Sequence, residues 1–246
     1  MKFISAHQPQ FIPHLSFFHK IVSVDVYICL DTLKYSRHSY QTRNKIKIDS
    51  NTGWTWLFVP ISSNPDHYFF DDYFIDNSTD WKKKHLKSFQ LAYSKSKYFE
   101  EIFEDLKQIY TKEHKKLADI VLDIIYYGLK AFKIDTEFIL YSEMLKNGFN
   151  PKEKKGLWVL ELTKYFNGNN FLFGKNAVNY LTSFDKECFK KNNIECDFQK
   201  YEFIQYPQLH GSFVPALSFV DLLFNIGKED GAKFLRKPWR FRKLNI

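Results

Sequence analysis

Cysteine is scarce in this 246-residue chain: Cys29, Cys188 and Cys196 are the complete set. An odd count argues against a disulfide framework, and the spacing forms no metal-ligand pattern. Glycine is also sparse, at nine residues. No GxxxxGK[ST] run is present to cradle a triphosphate, and no GxGxxG follows a strand to support a dinucleotide. The chain has no HExxH, no paired CxxC and no GxSxG elbow, so neither a zinc cage nor a nucleophile elbow is expected. No apolar run approaches the roughly 18 residues of a membrane span. The start of the chain lacks an apolar stretch followed by a small-residue cleavage site, so a cytoplasmic location without a signal peptide is expected.

Aromatic rings are plentiful, with 26 Phe, 15 Tyr and 5 Trp, enough to fill a core and still line a pocket. The net charge of +8 suits an anionic partner such as a nucleotide-activated substrate. Its distribution speaks against nucleic acid. The basic runs at 82–84, 112–116 and 152–155 read as solvated helix faces, and only 236–243 interleaves cations with rings. No RNA- or DNA-binding motif accompanies them.

The opening segment Phe3-Ile4-Ser5-Ala6-His7-Gln8-Pro9 reads as a strand ending in a rigid loop. An amphipathic helix follows over 12–23, with Pro13 in its first turn. Residues 24–30 form a nearly continuous apolar run that ends in Asp31, the mark of a buried parallel strand. The chain therefore opens on a βαβ unit whose strand ends, at His7 and Asp31, share one edge. Residues 34–47 are polar and donor-rich. They make either an unremarkable surface loop or a flap presenting Arg43 and Asn44 to a ligand. A strand is expected over 54–61, pairing with 69–75. The four-residue recurrence of Trp81, His85, Phe89 and Tyr93 marks one helix face, on which a lone histidine is more often a core group than a catalyst.

Further helices are expected over 98–110 and 114–132, so that 78–132 reads as a helical insertion. A β-type run over 136–141 leads to Ser142 and Glu143. Beyond it come a helix over 156–166, a strand over 169–173, helical turns over 177–181 and 184–191, and a strand over 194–203. The rigid loop Tyr206-Pro207-Gln208-Leu209-His210-Gly211 leads into a helix over 217–226, with Ser218 near its start. Residues 236–246 read as a basic tail. The expected architecture is a single α/β domain over 1–246 with a mostly parallel sheet. Ligands of such sheets bind beyond the carboxyl ends of the strands.

The candidates for chemistry are His7, His210 and Asp31 as catalytic groups, and Gln8, Arg43, Asn44, His85, Glu143 and Ser218 as binding groups. Loop histidines near carboxylates suit proton transfer from an amine or hydroxyl nucleophile. Arg43 or Asn44 could hold a phosphate or an oxyanion. Spacing alone does not separate acyl transfer from nucleotidyl transfer. For His7 and Gln8, satisfaction of loop backbone stands as the alternative to chemistry.

These segments resemble the WbqC-like family. His7-Gln8-Pro9-x-Phe11-Ile12-Pro13 is similar to its HQPxYLPW opening, and Asp25-Val26-Tyr27-Ile28-Cys29-Leu30-Asp31 to its DVFVxLDD strand. Tyr35-Ser36 with 41–46, the segments 54–60 and 75–81, His85, Ala92-Tyr93 and Tyr98-Phe99 continue the likeness. The Tyr206-to-Gly227 segment is its second hallmark. His14 departs from the usual tryptophan, and Thr32 from a second aspartate.

The family occurs among bacterial O-antigen and other surface-polysaccharide genes, which implies modification of a sugar. The reaction it suggests is acyl or aminoacyl transfer to the amine of a nucleotide-linked amino sugar, with His7 or His210 as base and Arg43 gripping the diphosphate. A thioester or acyl carrier protein would be the donor, and no resident cofactor or metal is called for. The competing expectations are a nucleotide-binding, nucleotidylyltransferase-like enzyme, suggested by Pro9-x-x-x-Pro13-His14, and a non-catalytic glycan-binding module. The two hallmark loops are expected to face one crevice.

Overall fold

The computed structural model describes residues 1–36, 39–62, 69–174, 177, 181–236 and 241–243, the last three as backbone. Its centre is a sheet of order β5-β2-β1-β6-β7-β8. The strands are β1 (Phe3–His7), β2 (Val26–Cys29), β5 (Glu137–Leu140), β6 (Asn170–Phe173), β7 (Glu195–Gln199) and β8 (Phe241–Lys243). The first five run parallel, and β8 pairs antiparallel with β7. The expected α/β class and the opening βαβ unit are both present. The chain lays β1, β2 and β5 outward on one side, then returns to place β6 and β7 on the other side of β1. This is a doubly wound order, and its direction reverses between β1 and β6.

Period-two alternation divides the core between the two faces of this sheet. Phe3, Tyr27, Cys29 and Leu172 pack beneath α1 (Leu15–Val22), α4 (Leu117–Ala131) and α8 (Phe219–Leu235). Ile4, Val26, Ile28, Phe171 and Phe173 face α5 (Tyr141–Lys146), α6 (Lys155–Tyr165) and α7 (Ser183–Lys191). The helices α2 (Trp81–Tyr93), α3 (Phe99–Thr111) and α4 fall within 78–132, and their apolar residues share one core with α1 and α8. At Gly128 on α4 a Cβ would strike the Phe18 ring, so a glycine is what allows α1 and α4 to approach this closely. A two-stranded ribbon, β3 (Arg43–Lys47) with β4 (Trp54–Phe58), lies outside the sheet.

Several local expectations are corrected. α1 begins at Leu15 rather than Ile12, because Ile12 has φ 36° and the chain is still turning there. Ser142 and Glu143 belong to α5 rather than to a strand end. Segment 69–75 meets 54–61 only in the single bridge Ile61↔Ile75, the intervening residues 70–72 being a 3₁₀ turn. The basic tail contains β8. Its flanking residues 237–240 and 244–246, like most of the expected turn at 177–181, lie outside the described residues. The last helix runs on to Leu235 through a break at Gly227, whose φ of 79° suits glycine. No helix among the described residues is long and apolar enough to cross a membrane.

Candidate functional site

β1 pairs with β2 at four positions, Ile4 to His7, but with β6 at only two, Phe3 and Ile4. Beyond Ile4 the strands splay. One side chain bridges the opening, Ser5 Oγ donating to the Leu172 carbonyl at 2.7 Å, while Lys20 Nζ reaches from α1 to the Ala6 carbonyl of β1 at 3.1 Å. Above the splay lies a cavity of about 420 Å³. Its walls include His7 at the end of β1, Gln10 from the loop after it, Lys20 from α1, Gly174 after β6, and Tyr201 and Phe203 after β7. The cavity occupies the reversal point of the sheet, the position where open α/β proteins take ligands.

His7 is exposed to this cleft, with its ring edge-on to Phe17 at 6.2 Å. Its Nδ1 lies 2.8 Å from the Gln8 carbonyl. A carbonyl only accepts, so Nδ1 carries the proton and Nε2 presents a lone pair. No described residue hydrogen-bonds Nε2. The surrounding protein, then the charge of Lys20, push the imidazole down to about 4, so it is neutral at pH 7. Lys20 is 4 % exposed, and burial lowers its ammonium to about 7. Beneath the cavity, Gln199 Nε2 donates to the Ser16 carbonyl and to His19 Nδ1, both at 2.9 Å. The side-chain oxygen of Gln10 is buried in the wall without a hydrogen bond.

The second hallmark loop is fastened to the first. Phe219 N–H donates to the Pro13 carbonyl at 2.8 Å, and His14 Nδ1–H to the Leu217 carbonyl at 3.3 Å. His14 and Ser218 also form an antiparallel bridge, and His14 packs on Tyr40 with centroids 4.4 Å apart. The His14 side chain therefore joins the two loops. Asp221, fully buried in the first turn of α8, accepts from Tyr93 at 2.8 Å, from Tyr206 at 2.7 Å and from Gln208 at 3.0 Å. Lys47 Nζ donates to the Ser212 carbonyl, closing the loop over β3.

The expected site residues thus have different surroundings. His7 lines the cleft. Gln8 turns away from it and donates to the Lys34 carbonyl at 3.1 Å. Asp31 accepts from the Ser142 N–H at 2.9 Å and its hydroxyl at 2.6 Å, fastening the start of α5. Asn44, fully buried, donates to the Ile12 carbonyl at 2.8 Å and holds the turn there. Arg43 stands over the Trp56 ring at 4.5 Å, on the ribbon rather than among the cleft walls. His85 sits in the core, where its Nε2–H donates to the Phe58 carbonyl and its Nδ1 accepts from Tyr110, each at 3.1 Å. Burial holds His85 down at about 4. Glu143 is exposed on α5. Ser218 is fully buried at the start of α8, and its N–H donates to the Lys45 carbonyl. His210, with φ 60°, donates from Nε2 to the Ala92 carbonyl at 2.6 Å, capping the end of α2. His210 does not line the His7 cavity.

Sequence reasoning did not offer Lys20, Gln10, Tyr201 or Asp221 as site residues, although Asp221 falls within the second hallmark segment. The signal for Lys20 was its place, beside His19, in a helix whose other residues are apolar apart from Ser16. No group of three or more His, Cys, Asp or Glu side chains able to hold a metal occurs among the described residues. A second cavity, of about 380 Å³, opens at the Gly227 break. Its Lys228 is already paired with Glu101 at 2.8 Å and Asp105 at 2.6 Å.

A doubly wound sheet with a cavity of about 420 Å³ at its reversal point defines an α/β protein of the open-sheet class. The chain belongs to the WbqC-like protein family, whose model matches residues 8–233. It is similar to a Mycobacterium tuberculosis protein described as uncharacterized protein Rv1507c, with 28 % identity over 233 residues covering 93 % of this chain and 96 % of that one. No solved structure matches the chain.

Proposed function

We propose that the chain transfers an acyl or aminoacyl group to the amine of a nucleotide-linked amino sugar in the reversal-point cleft, within cytoplasmic surface-polysaccharide biosynthesis. The observation that carries this reading is a neutral imidazole, His7, whose proton is fixed on Nδ1 and whose Nε2 faces an open cavity. That is the form a general base needs. The sugar amine attacks the carbonyl of a thioester donor, free or on an acyl carrier protein. The C–N bond forms as the C–S bond breaks, and the amine proton passes through His7 Nε2 to the departing thiolate. An anionic substrate beside His7 raises the imidazole's proton affinity toward the range where proton transfer is efficient. Asp31 and His210 take no proton in this scheme. The first fastens α5 and the second caps α2.

The test is a mass-spectrometric screen in which nucleotide-linked amino sugars are incubated with the protein and thioester donors. The expected result is an acylated sugar whose formation slows about a hundredfold or more in His7→Ala, the usual worth of a general base. Acylation at the wild-type rate in that variant would contradict the role of His7.

The reversal-point location also favours a second reading, nucleotidyl transfer from a bound nucleoside triphosphate. Calorimetric titration separates the two, because nucleotidyl transfer requires triphosphate binding and acylation does not.

A further inference from the structure

Lys20 is the residue of the cleft that the proposed chemistry leaves without a task. It lies on α1 and is 4 % exposed, and its ammonium makes one hydrogen bond among the described residues, to the Ala6 carbonyl at 3.1 Å. A buried ammonium is normally matched by a carboxylate or by several acceptors. Lys20 has neither: none of the described residues lining the cavity is Asp or Glu, and Lys20 is the one lysine or arginine among them. Two of its three N–H donors remain for something that occupies the cleft.

The surroundings define that occupant's shape. Gly174, just past β6, lies opposite the ammonium, where a Cβ would come within 3.9 Å of Nζ. The ammonium and Gly174 both line the cavity of about 420 Å³, which is the space an occupant would take. Tyr201, Phe203 and Trp158 supply ring surface further along the same cavity. A charged group flanked by flat apolar surface is the outline of a phosphate with a base attached.

We infer that Lys20 is the anion anchor of the cleft, holding the diphosphate of a nucleoside diphosphate between the ends of β1 and β6. This inference rests on the cleft being the substrate site, and it replaces Arg43, which stands on the ribbon, as the diphosphate's partner. The titratable groups that line the cavity with the anchor are His7 on β1 and Tyr201 after β7, and His19, next to Lys20 on α1, packs on Tyr201. His7 and His19 are neutral at pH 7, and burial raises the Tyr201 phenol out of the working range. Lys20, lowered to about 7, is only partly protonated in the free protein near neutrality. An anion that settles against it stabilises the charged form, so binding takes up a proton.

The experiment is titration calorimetry of the full chain with inorganic pyrophosphate, uridine diphosphate, uridine and acetate, at pH 7.5 in two buffers of different ionisation enthalpy. The expected result is that pyrophosphate and uridine diphosphate bind with net proton uptake, while uridine and acetate bind at least about tenfold more weakly. Lys20→Met keeps the length of the side chain and removes its charge. It should weaken pyrophosphate about tenfold or more while leaving the thermal midpoint unchanged or higher, since an unpaired buried cation is relieved. Equal pyrophosphate affinity in folded Lys20→Met would overturn the proposal. The acyl-transfer reading stands or falls separately. Lys20-dependent pyrophosphate binding without any acylated sugar upholds the anchor and contradicts acylation. Acylation with an unchanged KM in Lys20→Met upholds acylation and contradicts the anchor.

Discussion

Tyr206 donates its hydroxyl to the Asp221 carboxylate at 2.7 Å, and through that bond the second hallmark loop hangs from the first turn of α8. Tyr93, from the end of α2, and Gln208 donate to the same carboxylate, so one buried group ties three segments together. Burial raises its pKa to about 6, and the surrounding donors oppose but do not cancel that rise. Between about pH 4 and pH 6 the folded chain therefore holds this proton more tightly than the unfolded chain does. Taken alone, Asp221 makes stability fall as pH rises through that window.

Asp221→Asn removes this pH dependence and sets an amide donor against three donors, which should destabilise the chain by about 1–3 kcal/mol. The loss should be smaller at pH 7 than at pH 4, because the wild-type carboxylate bears its ionisation penalty only at the higher pH. Urea unfolding at the two values checks it. A loss that does not change with pH would mean that Asp221 does not titrate in this window.

Two buried histidines act in the opposite sense. Burial lowers His19 and His85 to about 4, below the ordinary 6.5. The unfolded chain then takes up protons that the folded chain refuses. Their stabilisation is complete above about pH 6.5 and is lost as pH falls toward 4. His85→Gln keeps a donor and an acceptor without a titrating ring. It should flatten the fall in urea midpoint between pH 7 and pH 5, and an unchanged slope would show that His85 is not a buried neutral base.

Asp31 is expected to matter for stability rather than for rate. Its two oxygens accept from Ser142 N–H and Oγ–H at the junction of β5 and α5. Asp31→Asn should lower stability by about 1–2 kcal/mol, the size of a lost hydrogen bond at a helix start. Turnover measured on the folded fraction should change less than about threefold, since no charge-assisted contact to substrate is lost. A hundredfold fall in kcat with normal stability would return Asp31 to the chemistry.

Much of the frame was readable from local pattern. The apolar runs and the helix between them gave the opening βαβ unit, and the four-residue recurrence placed Trp81, His85, Phe89 and Tyr93 in the core, where all four are buried. What could not be read was set by long-range pairing. Lys20 belongs to the cleft because β6 returns beside β1 and segment 199–203 closes over α1, and strand order leaves no trace in local periodicity. Asp31 is committed to a serine 111 positions away. The basic stretch near 241 becomes a strand because the β7 edge is free to receive it. The likeness to the family singled out both hallmark loops, but it could not show that His210 turns to the end of α2 while His7 opens into a cavity.

Substrate is expected to occupy the cleft walled by His7 and Lys20. The most direct test is to follow the imidazole NMR signals of His7 and His210, assigned with His7→Gln and His210→Gln, while a nucleotide-linked amino sugar is titrated in at pH 7. The expected result is a saturable shift of the His7 signal, with its apparent pKa rising from about 4, and a His210 signal that stays in place. Saturable binding that moves His210 and leaves His7 unchanged would contradict it.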